Sequence, residues 1–528
     1  MSERPWWQRA VIYQIYPRSF QDTNGDGVGD LVGIIERADY LARLGVDAVW
    51  ISPFYPSPMA DFGYDVADYT NVDPLFGTLP DFDRLVKALH SRGIRVIIDF
   101  VPNHTSDEHP WFLESRASRD NPKRDWYIWR DPRQDGRAPN NWQSFPAGSA
   151  WELDKTTGQY YCHSFLARQP DLNWRNREVR AAMYDVLRFW LKRGVDGFRV
   201  DVLWHLIKDA QFRDDPPNPH YRAGDPPYQR LLALHSADQP EVLEPIAEMR
   251  NVLAEYPGDR LLMGEVYLPL DRLVAYYGTT LNGTHFPFNF ALMWVDWKPA
   301  EILQLIVDYE AALPPGAWPS WVLGNHDQRR VASRLGAPQA RVAMMMLLTL
   351  RGTPTLYQGD ELGLDDVPVL PEEVRDPFAR IVPHQGRDPE RTPMPWDTSQ
   401  NAGFTAGHPW LPLGNNHPAM SVAVQEQAAD SMLSLTRALL DLRRREAALS
   451  VGDWTPLPIE GDVLAYARDA ASDRFVVVLN LDAVPKVVSF KDALIGTIAL
   501  STHPDRTGES ASSRMELRGN EGIIIKLA

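Results

Sequence analysis

The chain of 528 residues has a single cysteine, Cys162. One cysteine excludes an internal disulfide and suits a reducing compartment, although secreted bacterial enzymes can also lack disulfides. Because Cys162 follows the apolar pair Tyr160-Tyr161, we expect it to be a buried packing residue rather than a reactive thiol.

Long apolar runs and an excess of positive charge are also missing. No apolar stretch of about 18 residues occurs, so no segment is typical of a membrane-spanning helix; residues 343–350 are predicted to be a buried helix that Arg351 and Gly352 close. Residues 1–7 lack the apolar core of a signal peptide. The 54 basic and 70 acidic residues give a net charge of −16, which argues against nucleic acid or an anionic membrane as partner. We expect a cytoplasmic protein, monomeric or homodimeric.

Strands and helices alternate through most of the chain. This alternation predicts parallel βαβ units. The predicted strands are 11–16, 48–51, 96–101, 197–200, 261–264, 321–323 and 353–356, and the predicted helices are 33–44, 82–91, 179–193 and 431–446. Gly45 and Gly93 stop the first two helices.

Two irregular stretches and a change of period divide the chain into parts. Residues 105–173 show no convincing helical period and are predicted to be an inserted subdomain between barrel parts 1–104 and 174–450. A Pro- and Asp-rich excursion covers about 365–416. Period-two alternation in 451–528 predicts an antiparallel β domain. The expected fold is α/β: a (β/α)8 barrel, a subdomain inserted after its third strand, and a C-terminal β-sandwich.

Four predicted strands end in polar clusters, which is unusual for core strands. The clusters are Asp99 to His104, Arg199 to Asp201, Gly264-Glu265, and Asn325 to Asp327. Because parallel strands bring their C-terminal ends to one rim, these side chains are predicted to meet where α/β barrels keep their chemistry. Two aspartates and a glutamate there suggest carboxylate catalysis on a neutral polar substrate.

These clusters resemble, in order, the four conserved regions of the α-amylase family, glycoside hydrolase family 13. Gln169-Pro170-Asp171-Leu172-Asn173 resembles its fifth region in the form of the oligo-1,6-glucosidase and α-glucosidase branch. The opening from Trp7 to Asp30 and the run from Gly386 to Trp396 resemble that branch as well. The resemblance covers residues 6 to about 450.

The resemblance implies a retaining mechanism with three acids. Asp201 would be the nucleophile, Glu265 the acid/base, and Asp327 the group that holds the 2- and 3-hydroxyls, with His326 and His104 donating to nearby hydroxyls. Arg199 lies two residues before Asp201, on the same strand face, and can hold it ionised. Neighbouring negative charge should raise the pKa of Glu265.

The resemblance also implies a pocket closed at the non-reducing end. Asp61 would pair with Arg387, preferred over Arg391, and bind the 4- and 6-hydroxyls, while Tyr64 would stack beneath the glucose. Phe165 is a candidate wall ring, with simple packing as the equal alternative. Such enzymes are exo-acting α-glucosidases on short oligosaccharides, and they need no organic cofactor.

A separate motif, Asp22 to Asp30, places side-chain oxygens at alternating positions among glycines. This pattern resembles the start of a calcium loop. In the α-glucosidase branch the similar loop binds Ca²⁺ or Mg²⁺ through the counterparts of five groups, which here are Asp22, Asn24, Asp26, Asp30 and the Val28 carbonyl. The ion would be structural; a plain loop of Asx turns is the alternative.

Linkage and reaction type stay open at the level of sequence. Val202 resembles a residue that favours α-1,6 bonds in the branch, whereas Leu203-Trp204-His205 departs from that pattern, so mixed α-1,4 and α-1,6 hydrolysis is expected. A transglucosidase or a sucrose- or trehalose-type isomerase on the same scaffold is the main alternative. A non-catalytic relative is disfavoured because all three acids are present.

Overall fold

The computed structural model describes residues 4–471 and 473–528; residues 1–3 of the N-terminal segment and Ser472 lie outside them. Eight parallel strands form the barrel: β1 (Ile12–Ile15), β2 (Ala48–Ile51), β3 (Arg95–Phe100), β4 (Gly197–Val200), β5 (Leu261–Gly264), β6 (Phe286–Pro287), β7 (Ser320–Val322) and β8 (Thr353–Tyr357). Their hydrogen-bonded order is β7-β8-β1-β2-β3-β4-β5-β6. The barrel predicted from the sequence is confirmed.

The barrel strands are buried on both faces, as parallel sheets are. Every residue of β1, β2, β4 and β5 is buried. Strand β6, which the sequence analysis did not predict, has only two residues and pairs with β5 through Phe286 opposite Met263. A strand of this length carries no alternation to detect, and Pro287 has no N–H to extend the ladder.

Helices alternate with these strands. The longer ones are Leu31–Glu36, Ala38–Leu44, Leu79–His90, Arg177–Lys192, Leu243–Ala254, Pro299–Ala312, Ala337–Thr349 and Met432–Arg445. Short ones are Trp6–Arg9, Leu270–Leu273, Val331–Leu335, Pro377–Ile381, His417–Met420, Val422–Gln425 and Ala447–Val451. The prediction of one helix over 33–44 is wrong, because the backbone breaks at Arg37 (φ −94°, ψ 7°) and Asp30 caps a helix that begins at Leu31.

The segment inserted after β3 contains regular structure that the sequence did not reveal. It has a helix, Pro110–Ala117, and a three-stranded antiparallel sheet of Trp129–Arg130, Trp151–Asp154 and Gln159–Cys162. Cys162 is 1% exposed and packs with Trp142 and Trp151. Its setting is therefore that of a packing cysteine, and burial raises the pKa of its thiol.

The C-terminal part forms two antiparallel sheets, as expected. One sheet contains Asp453–Pro456, Leu464–Asp469, Arg474–Leu479, Gly522–Leu527, Ile495–Ser501 and Ser510–Ser512; the other contains Ile459–Glu460, Lys486–Phe490 and Arg514–Leu517. Side chains of both sheets, including Val478 and Val488, share one apolar cluster. A sandwich results.

The helix Ala337–Thr349 contains all of the run 343–350 that was predicted to be a buried helix except Leu350, which is its extended C-cap, and most residues of the helix are buried. Across the described ranges 4–471 and 473–528, no helix is both long and apolar enough to cross a bilayer.

Candidate active site

A cavity of about 1310 Å³ opens at the C-terminal ends of the barrel strands. Its walls include six of the residues predicted from the sequence: Asp61, Tyr64, Asp201, Glu265, Asp327 and Arg387. They come from loops that follow β2, β4, β5, β7 and β8. His104 and Phe165 line the same cavity.

One buried guanidinium contacts three carboxylates, of which Asp201 and Glu265 line this cavity. Arg199 Nη1 lies 2.7 Å from Asp201 Oδ1 and 2.7 Å from Asp99 Oδ1, and its Nη2 lies 2.9 Å from Glu265 Oε2. Because both carboxyls contact the same guanidinium, Asp201 and Glu265 lie close to each other. Arg199 is 1% exposed, so these charge-assisted bonds form away from water, where they are strongest.

The Asp201–Glu265 pair has raised proton affinity. Burial raises the pKa of both carboxyls; the negative charges of Glu265, Asp99 and Asp327 add to the shift at Asp201, while Arg199 opposes it. Two buried acids at this separation titrate as a pair. One protonated and one ionised carboxyl is the state that this arrangement favours, because repulsion disfavours two charges and Arg199 stabilises one.

Val202 connects the two acids through its backbone. It follows Asp201 in a left-handed conformation, φ 37°, which is a genuine outlier for a β-branched residue. In that conformation its N–H donates to Glu265 Oε2 at 2.9 Å. Backbone strain of this kind persists only where the surrounding structure enforces it, and it concentrates at functional sites.

Asp327 is held by a different set of partners. Arg391 Nη2 lies 2.6 Å and Arg387 Nη1 3.2 Å from its Oδ1, and His326 Nε2 lies 3.4 Å from its Oδ2. Burial opposes its ionisation, but the charges of Arg391 and Arg387 outweigh burial and hold its pKa below the usual range. Asp327 is thus a fixed anion facing the cavity.

His326 is buried behind the cavity wall with both ring nitrogens in contact with protein groups. Gln14 Nε2 lies 2.7 Å from Nδ1, and the Tyr64 hydroxyl lies 2.8 Å from Nε2. Burial lowers its pKa far below the ordinary value, so the ring is neutral. The Tyr64 ring stacks on it at 5.4 Å, which fixes Tyr64 in the wall.

The end of the cavity near Asp61 is closed by a buried charge cluster. Arg387 Nη2 lies 2.6 Å from Asp61 Oδ1 and 2.8 Å from Asp376 Oδ1. Gln169 Nε2 approaches both Asp61 Oδ2, at 3.3 Å, and His104 Nε2, at 3.2 Å. Arg387 Nε also donates to Asp376 Oδ2 at 2.9 Å, so its contact with Asp376 is bidentate. These groups form a rigid polar wall, since bidentate arginine–carboxylate contacts fix geometry as well as charge.

The Phe165 ring packs against His104 at a tilt of 56°, with ring centroids 5.3 Å apart. Burial lowers the pKa of His104 to about 4, so its ring is neutral near pH 7. The ring of Phe378, carried by Pro377–Ile381, lies 3.8 Å from the Arg387 guanidinium carbon. Aromatic faces thus complete the wall around the charged end.

Sequence reasoning missed Asp376 and placed Arg391 second to Arg387. Asp376 accepts three bonds from Arg387, from its N, Nε and Nη2 atoms. It lies in the irregular 365–416 excursion, where no periodic pattern marks it. Gln169 begins the motif Gln169-Pro170-Asp171-Leu172-Asn173, but nothing in this local sequence predicts that its amide contacts Asp61.

The Asp22–Asp30 loop lies outside this cavity and is held by its own backbone. Asp22 Oδ1 accepts the N–H groups of Asn24 and Gly25, Asp22 Oδ2 accepts that of Gly27, and Asp26 Oδ1 accepts that of Val28. Asp30 caps the following helix through Gly33 N–H.

The oxygen atoms of this loop decide whether it can hold a cation. Within residues 4–471 and 473–528, no three His, Cys, Asp or Glu side chains are arranged to hold an ion. The predicted ligands are all oxygens, which suits Ca²⁺ or Mg²⁺, and Asn24 Oδ1 and Asp26 Oδ1, which accept the N–H groups of Asp26 and Val28, keep further acceptor capacity. The donor chemistry therefore fits a hard cation, although the carboxylates do not converge.

Comparison with known proteins agrees with this geometry. The family model described as alpha amylase, catalytic domain, matches residues 14–452. A probable α-glucosidase of Rhizobium meliloti (strain 1021) is 42% identical over 496 residues, covering 91% of this chain and 90% of that protein. An oligo-1,6-glucosidase of Heyndrickxia coagulans is 41% identical over 522 residues, covering 90% and 92%.

Solved structures show the same architecture. A crystal structure of an α-glucosyl transfer enzyme superposes with a TM-score of 0.94 at 42% identity, covering 100% of both chains. An isomaltulose synthase from Erwinia rhapontici NX5, solved with its natural substrate sucrose, gives 0.90 at 35% identity, again over 100% of both chains. The chain therefore belongs to the α-amylase family, glycoside hydrolase family 13, in its oligo-1,6-glucosidase and α-glucosidase branch.

Proposed function

We propose that this glycoside hydrolase is an exo-acting, retaining α-glucosidase that cleaves non-reducing terminal glucosyl residues from short oligosaccharides. One observation carries the proposal: Arg199 holds Asp201 and Glu265 side by side in a cavity that Asp61, Arg387 and Asp376 close at one end. Paired carboxyls of unequal protonation are what glycoside hydrolysis requires.

In the first step, an oxygen of Asp201 attacks the anomeric carbon as the bond from that carbon to the glycosidic oxygen breaks. Glu265 donates its proton to the departing oxygen, so that the leaving sugar departs as an alcohol. A β-glucosyl ester on Asp201 and an ionised Glu265 remain. Arg199 supports this step because its charge stabilises the ionised form of Asp201 before attack.

In the second step, Glu265 takes a proton from a water molecule, whose oxygen attacks the anomeric carbon from the opposite face. The ester bond to Asp201 breaks, and glucose leaves with its α configuration retained. The Val202 N–H, 2.9 Å from Glu265 Oε2, stabilises the carboxylate that receives this proton.

Exo-action is supported by the closed end of the cavity. Asp61 and Arg387 are proposed to bind the 4- and 6-hydroxyls, and Asp327 the 2- and 3-hydroxyls. His104 is proposed to contact a nearby hydroxyl, with Tyr64 and Phe165 as ring walls. His326 is proposed to act mainly through Tyr64 and Asp327, because both of its ring nitrogens already have protein neighbours.

Transfer of glucose to a sugar acceptor is the second candidate. The relatives solved as an α-glucosyl transfer enzyme and as an isomaltulose synthase favour it. The cavity of about 1310 Å³ also exceeds what one glucose ring needs, which leaves room for an acceptor. The steps up to the ester are the same, and only the attacking hydroxyl differs.

Linkage preference is proposed to be mixed, α-1,4 and α-1,6, with Val202 in the wall beside the scissile bond. Rates on maltose, isomaltose, trehalose and sucrose, with products resolved, test the whole proposal. Glucose as the main product of maltose or isomaltose supports hydrolysis. A new disaccharide at high substrate concentration favours transfer, and no cleavage of any α-glucoside would contradict both.

The Asp22–Asp30 loop is proposed to bind a structural Ca²⁺ or Mg²⁺. Asp22, Asn24, Asp26, Asp30 and the Val28 carbonyl would supply its oxygens. The ion would neutralise the loop's carboxylates and would take no part in the reaction.

A further inference from the structure

A buried arginine without an acidic partner packs against the segment that carries Asp61. Arg18 is 7% exposed, and in the part of the chain that the structure describes its Nε has no hydrogen-bond partner and it forms no ion pair. Its Nη1 lies 3.6 Å from the Met59 sulfur. Burying an unpaired charge is unfavourable, so other contacts must stabilise Arg18 in this position.

Aromatic faces supply part of that explanation. The Arg18 guanidinium carbon lies 5.0 Å from the centroid of the Phe62 ring and 4.8 Å from that of Trp410, within cation–π range. The two rings also contact each other, with centroids 5.4 Å apart. Trp410 is itself anchored, since its Nε1 donates to Ser19 Oγ at 3.0 Å.

Two of the residues that Arg18 contacts, Met59 and Phe62, are strained positions on either side of Asp61. Met59 has φ 61° and Phe62 has φ 48°, and the left-handed conformation is unfavourable for a residue other than glycine. Asp61 lies between these two residues, and its backbone N–H donates to the Asp65 carboxylate at 2.9 Å. The turn that contains Asp61 is therefore held by two sets of contacts: the hydrogen bond to Asp65 and the packing of Arg18 on Met59 and Phe62.

We propose that Arg18 and Phe62 are positioning residues for Asp61. Arg18 clamps both strained residues, and this holds the Asp61 carboxylate 2.6 Å from Arg387 Nη2, in line to receive the sugar's 4- and 6-hydroxyls. This inference rests on the role proposed for Asp61. Arg18 would thus influence substrate recognition indirectly, because Arg18, Met59 and Phe62 do not line the cavity but hold Asp61, which does.

The test compares p-nitrophenyl α-glucoside with its 6-deoxy analogue. Arg18→Met, which keeps apolar volume without charge, is expected to raise KM for the glucoside about tenfold with kcat within about twofold. The preference for the glucoside over the analogue should shrink. In an Asp61→Ala background the same substitution should change neither quantity further, because coupled residues are not additive.

Two further variants separate positioning from stability. Phe62→Gly allows φ 48° without strain but removes the ring contact; it is expected to raise KM as Arg18→Met does, even where Tm is unchanged or higher. Arg37→Met is the matched control, since Arg37 also stacks on a tryptophan, Trp396, at 4.2 Å but does not contact the Asp61 turn. It should keep the wild-type KM and preference.

The outcomes distinguish this inference from the proposed function. If Asp61→Ala loses the preference while Arg18→Met and Phe62→Gly retain wild-type KM and preference, the positioning role is overturned and the pocket stands. If Asp61→Ala itself leaves KM and preference unchanged, the role of Asp61 fails, and the inference fails with it.

Discussion

Two acid-rich regions of this molecule hold their carboxylates in opposite ways. At the cavity, guanidiniums bring together acids from different segments: Arg199 contacts Asp201, two residues on, and the distant Glu265, and Arg391 contacts Asp327. In the loop from Asp22 to Asp30, the acids accept backbone N–H groups two to five residues away.

The difference shows what each region can do. Carboxylates that accept N–H groups of their own segment shape the chain locally. Carboxylates gathered by buried arginines come together only when the barrel is assembled, and their protonation depends on the charges beside them. The first arrangement suits structure, and the second suits chemistry.

The sharpest test of this contrast is Asp201→Ala. It removes the proposed nucleophile, and kcat on p-nitrophenyl α-glucoside is expected to fall by at least about 10⁴-fold. Added azide, as a small external nucleophile, should restore part of the rate and yield a β-glucosyl product. Near-normal turnover in the variant would contradict the role assigned to Asp201.

Glu265→Gln tests the acid of the pair. The loss should be about 10²- to 10⁴-fold for maltose, whose leaving group needs a proton, and smaller for p-nitrophenol. Because burial and Asp327 raise the pKa of Glu265, the wild-type enzyme keeps its acid protonated to higher pH, and kcat/KM falls as pH rises through that pKa. In the Glu265→Gln variant kcat/KM should no longer fall at high pH. If it still falls, the ionising group is not Glu265.

The fall of kcat/KM on the acidic side of the pH profile reports the protonation of Asp201, the partner of Glu265. Burial raises the pKa of Asp201 as well, so the pair gains its second proton above the pH at which a free aspartic acid would, and kcat/KM falls below that point. A pH profile flat down to pH 4 would contradict the raised pKa of the pair.

The same contrast explains what the sequence could predict. Strand ends are local features, and β4 and β5 have the predicted bounds, so their terminal acids could be placed on one rim. The loop motif is likewise local. In contrast, the contact between Asp376 and Arg387 depends on how an irregular excursion folds back, and no period or motif encodes that path. The burial of Arg18 without an acidic partner could not be predicted either, because Arg18, Phe62 and Trp410 come from three separate segments.

Asp376→Asn probes this unpredicted part of the site. The variant keeps the shape but removes the charge that accepts from Arg387. A bond to a charged group contributes about 1.5–3 kcal/mol, so KM for maltose should rise roughly tenfold as Arg387 loses its orientation, with kcat changed less. Asp366→Asn, which removes an ion pair with the exposed Arg329, is the control and should keep its KM. Equal KM in both variants would confine Asp376 to a structural role.

Removing divalent cations should give the smallest effect and bears on the other region. If the loop binds Ca²⁺, EDTA should lower Tm by a few degrees, since a ligand at about 100 times its Kd stabilises by about 2.7 kcal/mol, and kcat and KM should stay unchanged. Asp26→Asn should abolish the calcium dependence of Tm. Asp68→Asn, whose side chain likewise accepts a backbone N–H two residues on, from Thr70, should keep it. A Tm insensitive to EDTA and Ca²⁺ would mean that backbone N–H groups alone satisfy the loop's carboxylates, whereas a change in KM would show that the two regions are coupled.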